Sequence, residues 1–110
     1  MSEQDTLARL AAVIASRRHG DGNKSYTREL LDAGPERCAK KFGEEAVETV
    51  IAAISGDSGQ LMAEAADTLY HLLVLLEVLN VPFGDVLAVL ERRMGRGGLE
   101  EKAARPRGTP

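Results

Sequence analysis

The segment 62–79, M-A-E-A-A-D-T-L-Y-H-L-L-V-L-L-E-V-L, is apolar around most of its circumference when wound as a helix. Such a helix belongs inside, covered on several sides by other apolar surfaces. A chain of 110 residues has few other segments with which to cover it. The expected fold is therefore a small all-α helical bundle of about four to five helices, completed by a second copy as a homodimer. Aromatic scarcity points the same way, since aromatics make up 4% of the chain and Trp is absent. The core must then come mainly from Leu, Val, Ile and Ala, a set better suited to helices than to a β-sandwich.

The remaining punctuation is consistent with this. Leu7, Leu10, Ala11 and Ile14 recur at three- and four-residue steps, which predicts a first helix over 5–18 with Asp5 or Thr6 as its cap. H-G-D-G-N-K-S over 19–25 reads as a loop. A short helix over 26–33 is stopped by Gly34, and Pro35 opens a long one reaching Ser55. After a break at 56–58, a fourth helix starts at Ser58 or Gly59 and runs to 79, closed by Asn80 and Pro82. A last helix is expected over 85–94, capped by Asp85. Residues 1–95 thus form one domain, and the Gly-, Arg- and Pro-rich stretch 96–110 is a basic tail expected to be partly disordered. No strand pattern or internal repeat is visible.

Composition excludes several classes. The single cysteine, Cys38, rules out an intramolecular disulfide framework and any multi-cysteine zinc site, and reads as a small buried hydrophobe. No apolar stretch approaches the roughly 18 residues of a membrane span, and residues 1–8 lack a signal-peptide core, so a cytoplasmic protein with no membrane partner is expected. The net charge of −3 gives no global pull toward nucleic acid, although Arg92, Arg93, Arg96, Lys102, Arg105 and Arg107 load the last fifth of the chain.

The informative residues are acids on the two long helices. Glu44, Glu45 and Glu48 share one helical face, and Glu64 and Asp67 share another with His71 one turn further on. Charges at such spacing commonly make only a solvated face. Here the stripe through Glu64, Asp67 and His71 runs on into Val74, Leu75 and Val78, and the stripe through Glu45 and Glu48 continues through Ala52 and Ser55. Carboxylates turned inward are expensive to keep charged, and a bound cation offsets that cost. Oxygen-only ligation suits Mg²⁺ or Mn²⁺, ions that keep waters and bind substrate phosphates. Lys40 and Lys41, one turn before the acids, are either surface partners of Glu44 and Glu45 or contacts for a phosphate. His71 is read as a hydrogen-bonded core residue, with proton transfer as the alternative.

These residues also carry a resemblance. K-K-F-G-E-E-A-V-E over 40–48, followed by E-A-A-D-T-L-Y-H-L-L-V-L-L over 64–76, resembles phosphoribosyl-ATP pyrophosphohydrolase, within the MazG-like all-α nucleoside triphosphate pyrophosphohydrolases with their E-E-x-x-E and E-x-x-D hallmark. S-Y-T-R-E-L-L over 25–31 and G-L-E-E-K-A-A-R over 98–105 are similar to further segments of that family. Phe42 and Gly97 depart from the usual residues, an aliphatic and a serine. The resemblance implies hydrolysis of phosphoribosyl-ATP to phosphoribosyl-AMP and pyrophosphate, the second step of histidine biosynthesis. It implies Glu45, Glu48, Glu64 and Asp67 as Mg²⁺ ligands, with Glu44 assisting or positioning the attacking water. Lys40 or Lys41 would neutralise phosphate charge, and Ser25, Tyr26, Thr27, Arg93 and Lys102 are weaker candidates for contacting phosphates or ribose. Competing readings are a pyrophosphohydrolase of free, non-canonical nucleoside triphosphates, or a non-catalytic dimerisation bundle.

Overall fold

The computed structural model describes residues 5–19 and 25–95. Within them lie five α-helices and no strand: α1 (Thr6–Ser16), α2 (Tyr26–Ala33), α3 (Pro35–Ser55), α4 (Ser58–Val78) and α5 (Phe83–Gly95), with a 3₁₀ turn (Arg17–His19) after α1. The expected all-α fold is what forms. The loop 20–24 and the tail 96–110, including Lys102, lie outside the described residues.

Local chemistry accounts for the boundaries, with some corrections. The extent of the first helix holds, but its last turn tightens to 3₁₀. Asp5 occupies the N-cap position with torsions that are already helical, and its side chain makes no capping hydrogen bond. Ser25 does cap α2, its hydroxyl accepting from the Arg28 N–H at 3.0 Å. Gly34 alone joins α2 to α3, at φ 95° and ψ 175°, a region open essentially to glycine. The α3–α4 turn uses Gly56 in the left-handed region, then Asp57, whose side chain accepts from the Gln60 N–H at 3.1 Å. α5 begins two residues earlier than expected, because the Pro82 carbonyl accepts from the Asp85 N–H at 3.0 Å. Asp85 therefore sits in the first turn instead of capping the helix.

The end of α4 is closed by two backbone hydrogen bonds, Asn80 N–H to Glu77 O at 3.0 Å and Val81 N–H to Leu76 O at 2.9 Å. This is a Schellman closure with asparagine, at φ 61°, in the place glycine usually takes. The Arg18 guanidinium reinforces it, donating to the Glu77 carboxylate and carbonyl and, at 3.3 Å, to Asn80 Oδ1. A cation there also meets the negative end of the helix dipole.

The core joins Ile14, Leu30, Leu31, Cys38, Leu73 and Val74, flanked by Leu7, Leu10, Ala11, Tyr70, Leu76 and Phe83. It thus lies between α1, α2, the start of α3 and the second half of α4. Cys38 is the small buried hydrophobe expected, its thiol donating to Leu30 O at 3.2 Å and pushed up by burial, so it is unreactive. Ala52 is buried where α3 meets α4, whereas Ser55 at the helix end is exposed and bonds back to Ala52 O. A different face of α3 stays open: Val47, Val50, Ile51 and Ile54, spaced as one helical stripe, are all exposed, Ile54 at 81%. Met62 and Leu69 on α4 are exposed as well.

Because only glycine and, less well, asparagine tolerate the left-handed closure, Asn80→Val is expected to lower unfolding stability by about 1–2 kcal/mol in urea titrations. Asn80→Gly, which keeps the backbone freedom, costs far less.

Candidate metal site and substrate face

α3 and α4 form an antiparallel hairpin, and two threonines lock their register. The Thr49 hydroxyl lies 3.0 Å from both Glu45 O and Glu64 O. Thr68 repeats the arrangement, 3.0 Å from the same two carbonyls, and the two hydroxyls are 2.7 Å apart. Neither threonine stands out in the sequence, where each reads as an ordinary helix residue. A visible signal was that both sit four residues after an acid of the hallmark.

With the backbones so held, oxygens of Glu45, Glu64 and Asp67 all lie within 4.8 Å of one another. Three of the four carboxylates expected as metal ligands are therefore brought together. Glu48 is exposed and outside this tight group, though close enough to act on Glu64 electrostatically. Glu64 Oε2 is buried and has no hydrogen-bond partner among the described residues. Desolvation first, then Glu45, Asp67 and Glu48, raise the Glu64 carboxyl above its ordinary value. A crowded carboxylate with a buried, orphaned oxygen is what a hard divalent cation would relieve, and the all-oxygen donor set fits Mg²⁺ or Mn²⁺.

Cations line the approach. Lys41 Nζ stands 3.7 Å from Glu44 and 4.0 Å from Glu45. Lys40 and Lys41, with Arg37 and Glu44, line a cavity of about 200 Å³. A neighbouring cavity of about 290 Å³ is lined by Tyr26, Glu29, Leu30, Ala33 and again Arg37. Of the S-Y-T segment, Tyr26 faces this space, whereas the Ser25 hydroxyl caps α2 and the Thr27 hydroxyl bonds the Tyr70 hydroxyl. Arg93 lies in the last turn of α5, which packs on α1 and α4, and lines neither cavity.

His71 is buried, as expected of a core histidine, but the expected hydrogen bond is missing at one nitrogen: Nδ1 is buried without a partner among the described residues. Its surroundings explain this, since ring edges flank it, Tyr70 with a centroid at 5.0 Å and Tyr26 at 6.1 Å. Burial pushes the imidazole below its usual value against the pull of Glu45, so the ring is neutral at neutral pH.

Comparison with known proteins adds an independent line. A family model described as phosphoribosyl-ATP pyrophosphohydrolase matches residues 7–94. The phosphoribosyl-ATP pyrophosphatase of Dinoroseobacter shibae is 57% identical over 99 residues, 90% of this chain and 97% of that protein. That of Paracoccus denitrificans is also 57% identical over 99 residues, 90% of this chain and 92% of its own length. That of Parvibaculum lavamentivorans is 56% identical over 104 residues, covering 94% and 95%.

The raised Glu64 carboxyl gives a pH prediction for the metal-free protein. Between the ordinary carboxylate value and the raised one, the folded chain holds a proton that the unfolded chain has lost. The group's contribution to stability is complete at low pH and is lost as pH rises through the raised value. Glu64→Gln should therefore melt higher than the parent at neutral pH without metal, with the advantage vanishing toward acid, and should lose stabilisation by added Mg²⁺. Melting curves from about pH 4 to about pH 8 check this; a variant less stable than the parent at neutral pH contradicts it.

Proposed function

The chain belongs to the phosphoribosyl-ATP pyrophosphohydrolase family, and from that premise we propose that it cleaves the α–β phosphoanhydride of phosphoribosyl-ATP. The products are phosphoribosyl-AMP and pyrophosphate, and the reaction is the second step of histidine biosynthesis. The observation that carries the reading is the convergence of Glu45, Glu64 and Asp67 beside Lys41.

In this reading Glu45, Glu64 and Asp67, joined by Glu48, hold Mg²⁺, with Mn²⁺ as a substitute. A cation bound there neutralises phosphate oxygens, makes phosphorus more electrophilic and lowers the pKa of water. The chain's own residues do the rest by positioning and charge, which dominate phosphoryl transfer. Lys41, tethered between Glu44 and Glu45, offers an oriented ammonium to a phosphate oxygen. Glu44, exposed and outside the tight cluster, takes the proton from the attacking water. The water oxygen bonds to phosphorus as the bridging P–O bond breaks, and pyrophosphate departs. Tyr26 and Lys40 border the space left for the nucleotide. Arg93 lines neither cavity, and Lys102 lies outside the described residues, so neither is assigned a step in this reading. No single helix among the described residues is long and apolar enough to cross a membrane, and the reading places the enzyme in the cytoplasm with its substrate.

The reading includes a homodimer. What supports it is the stripe of Val47, Val50, Ile51 and Ile54 on α3, too apolar and too contiguous to favour water, next to Met62 and Leu69 of α4. A second copy offering the same stripe would bury it by twofold symmetry. Ile54→Glu is expected to shift sedimentation from dimer to monomer at micromolar concentration, and a parent protein that is already monomeric there contradicts the assembly.

The activity itself is tested by pyrophosphate release from phosphoribosyl-ATP with and without Mg²⁺, with ATP and dUTP alongside. Metal-dependent release from phosphoribosyl-ATP, lost in Glu45→Gln, is the expected result. Release from the free triphosphates but not from phosphoribosyl-ATP overturns the substrate assignment.

A further inference from the structure

We propose that Arg37, with Lys40, forms a second phosphate subsite that binds the phosphomonoester of the substrate's phosphoribosyl group, making Arg37 the residue that distinguishes phosphoribosyl-ATP from ATP. The inference rests on the substrate assigned above and deepens it.

Such a substrate has two anionic ends, a triphosphate and a monophosphate on the added ribose, separated by the bulk of the nucleoside. The face of α3 has two matching ends. Arg37, Lys41, Glu45 and Glu48 follow one another at steps of four, four and three, so they form one stripe along the helix. At the helical rise of 1.5 Å per residue, Arg37 lies about 12 Å along the axis from Glu45. The carboxylate end suits a triphosphate with its cation, and Arg37 is too far along the stripe to serve that cluster.

The far end is also where uncommitted positive charge collects. Of the four residues lining the cavity of about 200 Å³, three are cationic, Arg37, Lys40 and Lys41, and one, Glu44, is anionic. Lys41 is already engaged by Glu44 and Glu45. Arg37 and Lys40 make no ion pair with any carboxylate among the described residues. Arg37 in addition forms the shared wall with the second cavity, whose Tyr26, Leu30 and Ala33 give a less polar surface on which a sugar can rest. A planar guanidinium grips a terminal phosphate bidentately, which a lysine cannot do. ATP lacks the second phosphate and leaves this end unused.

The test is binding of phosphoribosyl-AMP and of AMP, ligands that differ only in the phosphoribosyl group, to the parent chain, Arg37→Gln and Arg37→Lys, by calorimetry at fixed ionic strength. The parent should prefer phosphoribosyl-AMP. Arg37→Gln should reduce that preference on the order of 10- to 100-fold, the loss of a charged hydrogen-bonded pair. Arg37→Lys should fall between, and circular dichroism should show the variants folded. A preference retained in Arg37→Gln, or both ligands weakened by the same factor, overturns the subsite. Because binding is read without turnover, the two ideas fail separately. A parent that shows the Arg37-dependent preference yet hydrolyses nothing refutes the catalytic reading alone, and an active enzyme whose preference ignores Arg37 refutes the subsite alone.

Discussion

Everything that gathers at the acidic cluster depends on the contact between Thr49 and Thr68. Two hydroxyls carry two protons, yet they stand within hydrogen-bonding distance of two carbonyls and of each other. At any instant only some of these contacts hold a hydrogen, but every arrangement draws the same two backbones together. The carbonyls concerned belong to Glu45 and Glu64, so the contact that sets the helix register also sets which carboxylates face one another. The small Ala52, buried one turn from Thr49, lets α3 and α4 approach this closely.

That approach has an energetic consequence. Bringing Glu45, Glu64 and Asp67 together leaves like charges repelling and one carboxylate oxygen buried without a donor. Such a local penalty persists only where the surroundings over-determine it. Here the opposite half of the molecule does so, through the core from Ile14 to Val74 and the Arg18 clamp on the end of α4. Polar tension and apolar stability are thus segregated along α4, with His71 at their border.

Much of this organisation was legible in the chain. The helices follow from apolar periodicity and from Gly34, Pro35 and Gly56, residues whose backbone preferences act locally. The acids were conspicuous because their stripes run on into Val74 and Ala52. What the chain conceals depends on tertiary placement. Thr49 and Thr68 become a pair only when two helices are laid side by side. Arg37 gains meaning only from the cavities it divides. Asp85 loses its capping role to a proline carbonyl, and His71 is flanked not only by its neighbour Tyr70 but by Tyr26 brought in from α2. Conversely, the hydroxyls of Ser25 and Thr27 stand out in a motif, while the structure uses them to build and anchor α2 beneath Tyr26.

The hairpin connection has a bearing on how the protein comes into being. α3 and α4 are joined by only Gly56 and Asp57, and Glu45 and Asp67 are 22 positions apart in the chain. Contacts this close in sequence cost little loop-closure entropy and form early, as in helical proteins generally. The acidic cluster can therefore assemble within one local hairpin, before α1 and α5, from opposite ends of the described chain, dock around it. The facing of the carboxylates is thus a property of the hairpin itself, settled while the rest of the chain is still finding its place.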